Sequence, residues 1–192
     1  MSKKGLAAMF VALVVTANTG AAFADTPASS RLDSSSASQL GEVVSVLHAV
    51  GQWSIDLSKM ADERAKSDLV KNYAHTMANA NAEKDDKLMA IAQKQGIEVA
   101  PLNAQTEEGK SLLDRIKAET QLLGSLKGDA FDKEYMTLVT NTQQSVMNFL
   151  EAHKAAAKDP AVKQFMGDMK TTVQSRLKTA QDVMAKVYGS SI

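Results

Sequence analysis

Polar side chains interrupt the apolar faces of four predicted helices, each close to the middle of its helix. They are Ser54, Asn81, Thr142, Gln143 and Arg176. Arg176 takes the missing place in a series of apolar residues spaced by seven, which consists of Val162, Met169 and Val183. Because side chains near the midpoints of long packed helices lie at similar depths, we expect these five polar residues to form one layer.

The chemistry of this predicted layer is hydrogen bonding to a small polar or anionic molecule, since it combines a guanidinium with amides and hydroxyls. Burying an arginine is costly unless its charge and its five N–H groups are matched. Three alternatives remain open for Arg176. Its head could extend into solvent along the edge of the core, it could belong to a purely structural hydrogen-bonded network, or it could face a hydrated cavity that binds a ligand. The nearest candidate anion is Asp56, and Lys84 lies on the same helical stripe as Asn81.

Metal chemistry is not predicted. A ferritin-like di-iron site requires Glu-x-x-His motifs, and no histidine here has an acidic residue three positions before it. The histidines lie on three separate predicted helices, where we expect them at the surface or at the edge of the core: His48, His75 and His153. Met166 and Met169 have the spacing of a soft copper site, but they lie on an apolar stripe where methionine typically fills a core. We therefore predict no metal and no cofactor.

Catalytic motifs are also missing from the sequence. It contains neither a Gly-x-Ser-x-Gly elbow nor a glycine-rich phosphate loop. It has no cysteine, which excludes thiolate catalysis and thiolate metal sites. The charged run 83–87 is typical of a solvated helix face, apart from Lys84. We predict that the protein is not an enzyme.

The first 24 residues have the pattern of a secretory signal peptide. Lys3 and Lys4 precede an apolar run of about ten residues, and Ala-Phe-Ala follows at 22–24. The run is shorter than the roughly 20 residues needed to span a bilayer. The sequence therefore predicts a signal peptide at 1–24, cleavage between Ala24 and Asp25, export to the periplasm or another location outside the cytoplasm, and a mature chain without a transmembrane segment.

The balance of charge argues against nucleic acid as a partner. The chain has 22 basic and 22 acidic residues, and loss of a signal that contains two lysines would leave a small acidic excess. Nucleic-acid binding requires clustered lysine and arginine. The expected partner is instead an unidentified protein or a small polar or anionic ligand.

The periodicity of apolar residues predicts five helices, at about 38–66, 68–95, 106–123, 129–156 and 160–188. Gly96 is expected to terminate the second helix, and Asp129 to cap the start of the fourth. A Ser-rich stretch at 25–37 is typical of a flexible leader. Four long helices and one short helix predict an all-α four-helix bundle over 38–188, built from two antiparallel hairpins that the short third helix joins.

Three segments give the chain a family resemblance: "QKQGIEV" at 93–99, "FDKEYM" at 131–136 and "KDPAVKQF" at 158–165. With these segments the sequence resembles an exported, ferritin-like bundle family called domain of unknown function 4142, over about 38–187. The resemblance implies a ferritin-like four-helix bundle. It implies no activity, because none is established for the family.

The resemblance also bears on the predicted polar layer. Members of the family commonly carry Asp-His pairs in the second and fourth helices, a histidine in the last helix and a glutamate in the first. In this sequence those positions correspond, in the same order, to Ala80-Asn81, Thr142-Gln143, Arg176 and Ser54. The side chains that could hold a metal are thus replaced, and a guanidinium at this place would make a bound cation electrostatically unfavourable.

These observations favour a non-catalytic exported protein that acts by binding or interaction, for example in envelope stress. Two alternatives stay open. One is a degenerate ferritin-like protein that retains metal or redox chemistry. The other is a small-ligand binder that uses the polar layer around Arg176.

Overall fold

The computed structural model describes residues 34–156 and 160–189, which form five α-helices and no strand. The helices are α1 (Ser34–Arg64), α2 (Asp68–Gln95), α3 (Glu107–Ser125), α4 (Gly128–Ala156) and α5 (Pro160–Tyr188). The predicted all-α class is confirmed. The predicted signal peptide 1–24, its cleavage site and residues 25–33 lie outside the described residues. Because α1 begins at Ser34, the end of the predicted leader belongs to this helix.

The local sequence explains the ends of the helices, but the prediction for the start of α4 was wrong. Gly96 adopts the left-handed conformation (φ 67°) and ends α2 as predicted, while its N–H donates to the carbonyl of Gln93. Thr106 caps α3, since its hydroxyl accepts from the N–H of Gly109. Asp129, by contrast, is not the residue before α4. The helix begins at Gly128, and the Asp129 carboxylate in the first turn accepts from Lys66 Nζ at 2.9 Å.

Side-chain hydrogen bonds define how the long helices pair. Asp62 and His75 join one end of α1 and α2, and His48 and Asp85 join the other, so the two helices run antiparallel. Helices α4 and α5 are also antiparallel, because Glu151 pairs with Lys170 near one end and the Thr140 hydroxyl lies 3.4 Å from the sulfur of Met184 near the other. Further packing joins α1 to α4 and α2 to α5.

The connecting helix α3 packs against α4 and is tied to α1 by polar contacts. Trp53 Nε1 donates to Thr120 Oγ1 at 2.9 Å. Arg64 Nη2 donates to the carbonyls of Gly124 and Leu126. Trp53 is therefore buried with its one donor satisfied, as is typical of tryptophan in a core.

The apolar core consists of two clusters. The first, near the α1–α2 loop, includes Leu57, Val70, Tyr73, Met77, Phe131 and Tyr135. The second, at the opposite ends of these helices, includes Val43, Leu47, Leu88, Leu150, Met166 and Val173. The polar layer lies between the two clusters. Within the described residues, no helix combines the length and hydropathy needed to cross a membrane.

The segment 131–136 holds α4 against the α1–α2 loop. Asp132 is 1% exposed and its carboxylate accepts from the backbone N–H groups of Lys66 and Ser67, at 2.9 and 2.7 Å. Phe131 lies 5.0 Å beneath the guanidinium of Arg64. These contacts give the most recognisable motif of the sequence a structural role.

Candidate functional site

A cavity of about 100 Å³ lies between the two apolar clusters and involves all four long helices. The five residues that we predicted to form a polar layer all line it: Ser54, Asn81, Thr142, Gln143 and Arg176. The structure thus brings together side chains from α1, α2, α4 and α5. Whether the cavity binds a ligand stays a prediction.

Arg176 points into this layer and is only partly exposed. Its Nη1 donates to Asn81 Oδ1, and its Nη2 donates to the backbone carbonyl of Ala80 at 2.8 Å. The alternative in which the head extends into solvent is therefore wrong. Burial lowers the pKa of Arg176, but the guanidinium stays cationic at neutral pH because arginine is not deprotonated in proteins. Asp56, the expected anion, is exposed and does not line the cavity.

On the α4 side, two buried polar atoms have no protein partner. Gln143 Nε2 donates to Tyr73 Oη at 3.1 Å, but Gln143 Oε1 is buried and accepts no hydrogen bond from the described residues. Thr142 Oγ1 is in the same situation. Ser54 differs, because its hydroxyl donates to the Val50 carbonyl at 2.7 Å. Unsatisfied buried polar atoms beside a cavity indicate groups available to a ligand or to water.

Lys84 is a second cation at the cavity. Burial, and then the nearby charge of Arg176, lower the pKa of Lys84 from 10.5 to about 8. Its ammonium group makes no hydrogen bond or ion pair with any side chain in the described part of the chain. At neutral pH the cavity is therefore lined by two positive charges, from α2 and α5.

Asp85 also lines the cavity, although it is not among the residues predicted from the sequence. The carboxylate is 8% exposed, so assigning the run 83–87 to a solvated face was wrong at this position. Asp85 Oδ1 accepts from His48 Nδ1 at 2.8 Å, and Oδ2 accepts from Gln52 Nε2 at 2.5 Å. The signal was the spacing: position 85 lies four residues after Asn81, on the same helix face.

The electrostatic balance of the cavity favours an anion. Asp85 is the acidic side chain in its lining, and both of its oxygens already accept from α1. Neither Arg176 nor Lys84 is paired with a carboxylate among the described residues. The site offers cationic donors, amides and hydroxyls. These groups can hold an anion by charge and by hydrogen bonds.

The histidines do not converge. His48 bonds to Asp85, while His75 Nδ1 lies 3.0 Å from Asp62 Oδ2 on the protein surface. His153 is 7% exposed, more deeply buried than expected, because its ring packs on Phe149 and its Nδ1 donates to the carbonyl of the same residue. Within 34–156 and 160–189, no three acidic or histidine side chains are grouped so that they could hold a metal.

Comparisons with known proteins give one match. The sequence profile of a domain of unknown function, DUF4142, matches residues 24–183, which is most of the chain. No curated protein and no solved structure matches it.

Proposed function

The chain belongs to the DUF4142 family of unknown function, and from this premise we propose that it is a non-catalytic protein that binds a small organic anion in the cavity around Arg176. The observation that carries the proposal is the pair of cations that line the cavity, Arg176 and Lys84, neither of which forms a direct ion pair with a carboxylate of the described residues. An unneutralised charge beside an apolar core is costly. A bound anion would remove this cost.

A small ligand is favoured over a protein partner because the polar groups converge on a cavity. The unpartnered Oγ1 of Thr142 and Oε1 of Gln143 are buried atoms, which a protein surface could not reach. Pockets with apolar walls and a few convergent polar groups are typical of small-molecule sites.

The architecture that we propose is a ferritin-like four-helix bundle. Its support is the antiparallel pairing of α1 with α2 and of α4 with α5, together with packing between α1 and α4 and between α2 and α5. We also propose that the protein is exported, to the periplasm or beyond. Lys3 and Lys4, the apolar run that follows them and the Ala-Phe-Ala motif before Asp25 support this location.

Thermal denaturation in the presence of small anions tests the binding function. A ligand at 100 times its Kd stabilises a protein by about 2.7 kcal/mol, which corresponds to roughly 5–10 °C in Tm for a domain of this size. The Arg176→Leu variant should be as stable as the parent or more stable, because a partly buried charge is removed. It should show no shift with the anion.

Lys178 provides the matched control, since it is an exposed cation on the same helix, paired with Asp182. Lys178→Gln should keep the full shift in Tm. If no small anion raises the Tm of the parent protein, the proposed function is wrong.

A further inference from the structure

We infer that the ligand is a short aliphatic hydroxycarboxylate, whose carboxylate faces Arg176 and Lys84 and whose hydroxyl faces Thr142 and Gln143. The inference rests on the proposed function and narrows it to a chemical class. Three features of the cavity support it: the charge at one wall, the unmatched polar atoms at another, and the size and apolarity of the rest.

The charged wall, formed by Arg176 and Lys84, favours a ligand with one carboxylate. Arg176 uses Nη1 and Nη2 to hold Asn81 and the Ala80 carbonyl, which leaves further N–H groups of the guanidinium for a ligand. Lys84 adds three donors. An amino acid fits less well, because its ammonium group would add a third positive charge to the cavity. The carboxylate of Asp85 could pair with that ammonium, but both of its oxygens already accept hydrogen bonds from His48 and Gln52.

The wall formed by α4 selects a hydroxyl. Both Thr142 Oγ1 and Gln143 Oε1 are buried without a hydrogen-bond partner among the described residues, and leaving such atoms unmatched destabilises a protein. A hydroxyl both donates and accepts, so it can satisfy the Thr142 hydroxyl and either orientation of the Gln143 amide. An unsubstituted carboxylate of the same length offers nothing to these atoms.

The remaining walls select a short aliphatic body. The polar layer has apolar side chains on both sides: Leu57, Met77 and Val139 towards one cluster, and Leu88, Met169 and Val173 towards the other. At roughly 10–15 Å³ for each water-sized group, the cavity of about 100 Å³ has room for a chain of a few heavy atoms. Inorganic phosphate fits less well, because it has no aliphatic part to contact these apolar walls.

Isothermal titration of the full chain with a matched panel tests the inference. The panel consists of butyrate, 2-hydroxybutyrate, 3-hydroxybutyrate, 2-aminobutyrate and inorganic phosphate, at pH 7. We expect one of the hydroxybutyrates to bind at least tenfold more tightly than butyrate, and 2-aminobutyrate and phosphate to bind more weakly than both.

Two variants separate the roles of the walls. Thr142→Val should reduce the preference for the hydroxybutyrate over butyrate to about threefold or less. Arg176→Leu should abolish the binding of every carboxylate. Circular dichroism checks that each variant is folded, and Gln143→Met replaces Thr142→Val if the latter is not.

The outcomes distinguish this inference from the proposed function. If butyrate, 2-aminobutyrate or phosphate binds as tightly as the hydroxybutyrates, the hydroxycarboxylate assignment is wrong although the site still binds an anion. If Thr142→Val and Gln143→Met both keep the full preference, the hydroxyl does not face α4 and the assignment is wrong too. If no anion of any class binds, both this inference and the proposed function are wrong.

Discussion

Asp132 is a buried carboxylate with a structural role and no contact with the cavity. Its two oxygens accept from the N–H groups of Lys66 and Ser67, which precede α2 and have no partner within a helix. Negative charge at the start of a helix is also favourable because of the helix dipole. A charged residue in the most recognisable motif of the chain is thus explained by packing.

Replacing Asp132 should destabilise the protein strongly. Asp132→Ala removes the buried carboxylate that accepts from two backbone N–H groups, and hydrogen bonds to charged groups are worth about 1.5–3 kcal/mol, so we expect a loss of about 2–4 kcal/mol in the free energy of unfolding. Urea denaturation measures it. Asp129→Ala is the control, because the pair of Asp129 with Lys66 is exposed to solvent and should contribute little to stability. Equal effects of the two substitutions would contradict the structural role of Asp132.

Lys84 makes the stability of the protein depend on pH. Its pKa is about 8 in the folded protein and 10.5 when unperturbed. Between these values the unfolded state binds more protons than the folded state, so the free energy of unfolding should rise as the pH increases from about 8 to about 10.5. Burial of the charged Lys84 ammonium therefore destabilises the folded protein at neutral pH, and this destabilisation disappears in alkaline solution.

Lys84→Met should remove this dependence. The lowered pKa of Lys84 means that its charge destabilises the folded protein, but water screens part of this effect because the side chain is partly exposed. We therefore expect the variant to be more stable than the parent at pH 7 by about 1 kcal/mol. The difference should disappear towards pH 10.5. Urea denaturation from pH 7 to 10.5 measures it, with Lys94→Met as the control, because Lys94 is exposed on the same helix. A constant difference across this range would show that Lys84 is not perturbed by burial.

Among the helices, α2 shows most clearly how local sequence sets an end. Gly96 has φ of 67°, and the following N–H, of Ile97, donates to the carbonyl of Ala92. This pattern closes the helix and turns the chain so that Ile97 packs into the second core cluster. A residue with a Cβ adopts the left-handed conformation only at a cost.

Two glycine substitutions should have opposite effects. No atom lies within 4 Å of a Cβ built at Gly96, so Gly96→Ala adds backbone strain without a clash and should cost about 1 kcal/mol. Gly124 lies within α3, and its added Cβ also meets open space. Gly124→Ala should stabilise the protein by about 0.5 kcal/mol. Thermal denaturation measures both, and a destabilising Gly124→Ala would contradict the helical assignment at this position.

Considered as one molecule, the protein is two apolar clusters separated by a polar layer with a cavity. Of the six residues that the family resemblance aligned with potential metal ligands, all but Ala80 line this cavity: Ser54, Asn81, Thr142, Gln143 and Arg176. The layer carries positive charge from Arg176 and Lys84, and Asp85, which lines the cavity, is bonded to the imidazole of His48. A divalent cation would meet repulsion and few ligands there.

Metal analysis of the purified protein should accordingly find far less than one equivalent of any transition metal. Added Zn²⁺ or Fe²⁺ should not raise the Tm, because an ion that binds the folded state would stabilise it. Asp85→Asn is the control for adventitious binding and should leave the metal content unchanged. A stoichiometric metal that is lost in Asp85→Asn would instead establish a metal site at the cavity.

Much of the fold was predictable because its signals are local. Apolar periodicity marked all five helices, and Gly96 marked the end of α2, because both depend only on residues a few positions apart. The polar layer was predictable as well, since polar residues at heptad spacing on four helices have few places to lie except together. These inferences needed no knowledge of which helices are neighbours.

The partners within the layer were not predictable. Arg176 contacts Asn81 and the Ala80 carbonyl instead of Asp56, and Asp85 is buried although it belongs to a run of charged residues. Which side chain meets which depends on the rotation of each helix about its axis and on the side chains of its neighbours, and these are set by packing between distant segments. Periodicity therefore placed the polar groups at one depth, and only contacts between helices determined that two cations would line a cavity whose carboxylate, Asp85, is hydrogen-bonded to His48 and Gln52 instead.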